Sequence, residues 1–266
     1  MSHPSPAVTE EPILLQQYRD GVTTLTLNRP RQFNALSEEM LAALQQALDR
    51  LADDGDTRVI VIAANGKAFC AGHDLKQMRA NPDQDYYRDL FARCGRVMTS
   101  ILRQPQPVIA RVHGIATAAG CQLVAACDLA VAAEEARFAV SGINVGLFCS
   151  TPSVALARNL GRKKALEMLL TGEFISAAEA QREGLINAAV PLEQLDGEIR
   201  RLTDLICAKS GEAIRTGKRM FYRQLEMGVE EAYDYAGEVM ACNMMHEDAG
   251  EGIDAFIEKR RPVWRS

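Results

Sequence analysis

The chain has 266 residues, 47% hydrophobic and 24% charged, with a formal net charge of -5. That composition is ordinary for a soluble globular protein, and at roughly 100–200 residues per domain the length fits one large domain or two small ones. The negative balance argues against a general grip on nucleic acid or an anionic membrane, because the overall field repels polyanions. A local basic patch for a phosphate-bearing ligand stays open.

Met1–Glu11 reads as a polar tail around Pro4 and Pro6, with no apolar run and no Arg-rich amphipathic pattern. Ile13–Tyr18 and Val22–Leu27 alternate as strands, and Arg19-Asp20-Gly21 between them is hairpin chemistry. Ser37 predicts a helix cap, followed by Met40, Leu41, Leu44, Leu48 and Leu51 at helical spacing. Arg58–Ala63 is a short apolar run of the buried-strand kind. Ala64–Asp74 reads as a loop. A long helix then carries Tyr87, Leu90, Phe91, Cys94, Val97, Met98, Ile101 and Leu102 on one face, and the Gln104–Pro107 stretch stops it. Val108–Val112 predicts a strand, Ala118–Ala126 a helix of small residues, and Asp128–Ala133 and Arg137–Val140 further strands.

Beyond Ser150 the chain is mainly helical. Ser176-Ala177-Ala178-Glu179 has the capping-box pattern, Gly184 is a helix stop, and Leu185–Val190 reads as an edge strand. Four helical patterns follow, over Leu192–Lys209, Glu212–Leu225, Glu230–His246 and Gly250–Arg260. Strands interleaved with helices predict an α/β core with right-handed crossovers and a helical C-terminal part.

The seven cysteines (70, 94, 121, 127, 149, 207 and 242) form no C-x-x-C pair and sit mostly in apolar runs. They predict reduced, buried thiols in a reducing compartment. The longest uncharged stretch, Gly114–Cys127, falls short of the ~20 apolar residues of a membrane span. A cytoplasmic protein is the expectation. Dinucleotide-binding, phosphate-loop and nucleophile-elbow motifs are missing, and His3, His73, His113 and His246 are too scattered to predict a metal site.

Two segments stand out. Lys67–Leu75 (KAFCAGHDL) and Gly114–Leu123 (GIATAAGCQL) each follow a buried strand and open a helix. The first turn of a helix has amides without intrahelical acceptors and a partial positive charge. Two such ends aimed at one point would hold an oxyanion, and the small residues Ala71, Gly72, Ala118, Ala119 and Gly120 would let a ligand reach the backbone. The same small residues also suit close packing of helix on strand, and spacing alone favours packing.

These strings, together with Asn28-Arg29-Pro30, Asn34-Ala35-Leu36, Pro107–Ala132, Ala165–Gly172 (ALEMLLTG) and Ile175–Ile186 (ISAAEAQREGLI), resemble the enoyl-CoA hydratase/isomerase (crotonase) family from about Ile13 to Arg261. The resemblance implies a spiral of β-β-α turns over residues 12–195. It also implies a helical region over 196–266 that forms a homotrimer or a dimer of trimers. It implies a coenzyme A thioester as substrate and no resident cofactor, while the charge balance, the missing apolar span and the scattered histidines set the expectation of no nucleic-acid, membrane or metal partner. By position, the amides of His73 and Ala119 become the oxyanion donors. Asp74, Leu75 and Lys76 continue the acyl-CoA loop, and Arg29 and Arg31 become candidate phosphate contacts.

The family's two proton-shuttling glutamates fall at Gln122 and Gly142 of this sequence, so both carboxylates are missing. A glutamine cannot take a proton near neutral pH. Hydration is therefore expected to be weak or lost. Isomerisation, decarboxylation, thioester hydrolysis or plain acyl-CoA binding remain as alternatives. Cys149, with Ser150, Thr151 and nearby Asn144, lies where the family approaches the reacting carbons, though a buried structural thiol is the plainer reading. Lys259-Arg260-Arg261 reads either as a reach toward a neighbouring copy's coenzyme A phosphates, as the resemblance implies, or as solvated charge, the second being the plainer reading.

Overall fold

A computed structural model describes residues 11–265; residues 1–10 of the expected tail lie outside the described residues. The chain opens with the expected hairpin, β1 (Leu14–Arg19) and β2 (Val22–Leu27), paired antiparallel. Asp20 and Gly21 at its turn both hold positive φ, as a type I′ turn requires. Ser37 caps α1 (Glu38–Ala52) by accepting from the Met40 amide at 3.3 Å. The apolar stripe of α1 is buried from Met40 to Leu51.

Three β-β-α turns follow. The first is β3 (Val59–Ala64), β4 (Ala68–Cys70), the short α2 (Leu75–Ala80) and the long α3 (Gln84–Arg103). The second is β5 (Val108–Val112), β6 (Ile115–Thr117) and α4 (Ala119–Ala126). The third is β7 (Leu129–Ala133), β8 (Arg137–Ala139), α5 (Ser150–Asn159) and α6 (Arg162–Thr171). β9 (Ile175–Ser176), α7 (Ala177–Glu183) and β10 (Ala188–Val190) complete the core. α8 (Leu195–Cys207), α9 (Gly211–Gln224), α10 (Val229–Met244) and α11 (Glu247–Glu258) finish the chain.

The first strand of each turn joins a six-stranded sheet, β1-β2-β3-β5-β7-β10, parallel from β2 onward. The second strand joins a four-stranded sheet, β4-β6-β8-β9. Each turn thus adds one rung to both sheets, which is the expected spiral. The central strands β3, β5 and β7 of the large sheet are largely buried, so they read as continuous apolar runs. Ile60, Ile62, Val108 and Ala110 face the main core with α1, α3 and α4. Val59, Val61, Ile109 and Val131 face Leu195 and Ile199 of α8.

One expectation changes. The stretch over 64–74 is not all loop: β4 lies inside it, fully buried and paired with β6. Both strands have three residues, too few for an alternating pattern, and their pairing is non-local.

Candidate active site

The C-terminal ends of β4 and β6 bring the two conspicuous segments together. Gly120 sits so close to β4 that a Cβ there would collide with the Cys70 carbonyl oxygen. Gly72, at φ +91°, packs its Cα against the start of α4; a Cβ there would lie 3.2 Å from the Ala119 nitrogen. The 72–73 peptide is fixed from the other side. Leu36 bridges to His73 and donates its amide to the Gly72 carbonyl at 2.8 Å, and Ala71 donates to Phe33. Buried Asn34 ties this junction, accepting from the Arg29 amide and donating to the carbonyls of Asn65 and Ala68.

Ala118 precedes α4 at φ +52°, a conformation that favours glycine, while its amide donates to Ala139 of β8. Non-glycine residues held there cost about 1–3 kcal/mol and cluster at functional sites. Among the described residues neither the His73 amide nor the Ala119 amide meets an acceptor.

Both residues line one cavity of about 620 Å³. Ala71, Asp74, Leu75, Lys76, Arg31, Gly142 and Cys149 line it too, as do Ser150 and Thr151. Asp74 caps α2, its Oδ1 accepting from Lys76 and Gln77. Arg31 and Lys76 are exposed cations among the lining residues. Arg29 is not a lining residue: its guanidinium donates to Ser37 at 2.8 Å and lies 3.8 Å from Glu39, at the start of α1. Asn144 also lies outside the lining, and Arg260 is paired with Glu251 and Glu258.

The His73 ring is turned into protein. Nδ1 lies 3.3 Å from the Leu36 carbonyl, the ring stands edge-on to Phe91 at 5.5 Å, and Nε2 is buried without a partner. Burial holds its pKa below the usual histidine value, opposed by the Leu36 carbonyl. Gln122 is 4% exposed, and its Oε1 has no donor. It sits one helical turn beyond Ala119, on the same face of α4.

A Cβ on Gly142 would lie 2.5 Å from the Leu147 carbonyl oxygen and 2.7 Å from the Cys149 Sγ. The thiol therefore fills the space a side chain at 142 would need. Burial pushes the Cys149 thiol up, opposed by a hydrogen bond from the Gly142 amide. The apolar wall, including Phe33, Met78, Phe91, Leu147 and Phe148, had no sequence signal, because its members come from separate segments.

A second cavity of about 710 Å³ lies between the end of α3 and α9, walled by Arg103, Arg215, Arg219 and Arg223 with two glutamates. None of the sequence-selected residues lies there. No group of three metal-ligating side chains occurs among the described residues, and no described helix is long and apolar enough to cross a membrane. All seven cysteines are free.

The profile of the enoyl-CoA hydratase/isomerase family matches residues 17–266. The chain belongs to that family. The enoyl-CoA hydratase/isomerase chain is accordingly an acyl-CoA-processing enzyme. It is 48% identical to enoyl-CoA hydratase domain-containing protein 3 of Xenopus laevis, covering 95% of this chain and 86% of that one. It is 47% identical to the human protein of the same name, covering 92% and 81%. Among solved structures, an enoyl-CoA hydratase of Mycobacterium smegmatis superposes with a TM-score of 0.95 at 63% identity, covering 96% of this chain and all of that one. The human domain-containing protein 3 superposes at 0.93 and 46%, covering 95% and 100%. The vertebrate relatives are named as mitochondrial proteins, which overturns the expectation of a cytoplasmic one. Composition carries no compartment signal of its own.

Proposed function

We propose that the 620 Å³ cavity receives the acyl-thioester end of a coenzyme A ester, and that the amides of His73 and Ala119 hold its carbonyl oxygen as an enolate develops. The observation carrying this reading is the pair of acceptor-free amides on two adjoining turns of one cavity. Donors fixed in advance act on charge that appears in the transition state, and loss of one costs about 10²–10³ in kcat. Because the main chain supplies them, the side chain at 73 is free to differ. Arg31 and Lys76 suit the phosphates of the coenzyme, and Ala71 lines the space for the thioester, while Gly72 and Gly120 let the two segments pack closely on each other. The α10 face, with Tyr233 and Met240 exposed, suits packing in a homotrimer.

Hydration is weak in this reading. Proton transfer by positioned groups is worth about 10²–10⁴-fold, and Gln122 and Gly142 supply none. Crotonyl-CoA, followed by loss of its conjugated absorbance, should turn over about 10²-fold or more slowly than with a family hydratase carrying both glutamates. Gln122→Glu should not restore it, since Cys149 fills the place of a partner acid at 142. A bound thioester labelled with carbon-13 should show a polarised carbonyl, with its stretch moved to lower frequency. A bound carbonyl at its solution frequency, or hydration at full speed, would overturn the reading.

A further inference from the structure

The second cavity, about 710 Å³ between the end of α3 and α9, shares no lining residue with the first. Its volume falls within the roughly 300–1,000 Å³ of small-molecule sites. Its charge runs against that of the whole molecule: four arginines and two glutamates line it, in a chain of net charge -5.

Three of the arginines, Arg215, Arg219 and Arg223, recur every fourth residue of α9 and so stand one above another on a single face. Like charges at that spacing repel and weaken a helix. Arg103 adds a fourth cation from the last turn of α3. The glutamates do not offset this group. Glu212 is spent on Arg215 at 3.2 Å and on Thr216 at 2.8 Å. Glu226 lies 3.5 Å from Arg158, which is outside the lining. Arg223 lies over the Tyr235 ring at 4.6 Å. Arg103 and Arg219 are exposed and meet no carboxylate among the described residues.

The carbonyl end of a helix is its negative pole, which attracts cations and repels anions. At the end of α3 that pole is met without Arg103. Lys218 donates to the Ile101 carbonyl at 2.9 Å, and the same ammonium reaches the Gln106 carbonyl. Arg103 is thereby left for the cavity. Guanidinium groups present paired N–H donors that match the oxygens of a phosphate. Leu102 and Pro105 supply apolar surface for the rest of a guest, and Thr99 a hydroxyl.

We propose that this cavity is a second ligand site, which takes a small phosphate-bearing anion between Arg103 and Arg219. The anion relieves the repulsion along α9. It also braces that helix, because Tyr222 of the same wall donates to Asp128 at 2.7 Å, and Asp128 accepts from the Val108 amide at the start of β5.

The test is calorimetric titration of the full chain with pyrophosphate and with ADP, at physiological ionic strength. One anion should bind per chain, and amide exchange should slow in α9 and at the end of α3. Arg103→Gln combined with Arg219→Gln should weaken binding by about tenfold or more. The unfolding midpoint of that double variant without ligand should stay level or rise, since both side chains are exposed and their repulsion is gone. Arg31→Gln, in the first cavity, should leave the affinity for both probes as it was. ADP binding tighter than pyrophosphate identifies a nucleotide, with its base on Leu102 and Pro105; ADP binding no tighter identifies the phosphate group alone as what is recognised.

Failure of both probes to bind at millimolar concentration overturns the proposal. Affinity retained in the double variant, or lost in Arg31→Gln, assigns the anion to another place and overturns it too. A lower sedimentation coefficient for the double variant would give these arginines to contact with a second copy, with the same result.

Discussion

His73 lines the cavity, and its ring nitrogen Nδ1 lies 3.3 Å from the Leu36 carbonyl. The ring's pKa is depressed by burial from 6.5. The unfolded chain therefore binds a proton more readily than the folded one. The resulting stability is complete above about pH 6.5 and is lost as pH falls from there through the folded pKa. Urea midpoints taken from pH 7.5 downward should show that loss, and His73→Gln should flatten the part due to this ring. His113, also depressed by burial, leaves a remainder. A slope unchanged by the substitution would assign the effect elsewhere. At this scale the sequence spoke through helix caps. Ser37 and Ser176 cap where expected, because capping is set within four residues. It was silent on Cys149 filling the space at Gly142, since that contact depends on how the 141–149 turn folds back.

Among the elements, α9 is fixed to the base of the large sheet by one buried group of charges. Lys218 donates to Asp128 at 2.6 Å and to the carbonyls of Ile101 and Gln106. Asp128 also accepts from Tyr222 and from the Val108 amide at the start of β5. Burial pulls the lysine pKa down, opposed by the Asp128 carboxylate, and pushes the tyrosine up. Removing one partner leaves a buried charge unmatched, at about 3–5 kcal/mol. Asp128→Ala should cost about that much in chemical denaturation, with amide exchange rising first in α9. A loss near zero would mean the group is not closed in solution. The sequence placed Asp128 only at the start of a predicted strand and offered no partner for it, because Lys218 lies far along the chain. Long helices were legible from their periodicity and the central strands from their short apolar runs. β4 and β6 were not, because three-residue strands take their identity from partners distant in sequence.

The whole molecule leaves one side conspicuously uncovered. α10 buries no residue in the isolated chain, and Tyr233, Met240 and Met245 stand 70% exposed or more. Patches of that kind mark interfaces. Sedimentation should therefore find an oligomer, and Met240→Asp with Tyr233→Asp should shift it toward monomer. A wild-type monomer at micromolar concentration would refute this. The α/β class followed from strand–helix alternation and the spiral from family likeness, whereas the two-sheet division followed from neither, because it arises only when successive turns stack. That stacking has a further consequence. The proposed donors at 73 and 119 belong to different windings, joined through Leu36 and Gly72. A chain halted after its first winding would own half of the pocket and grip nothing. A guest molecule then recognises only finished copies, and by mass action its abundance helps decide how many copies stay finished.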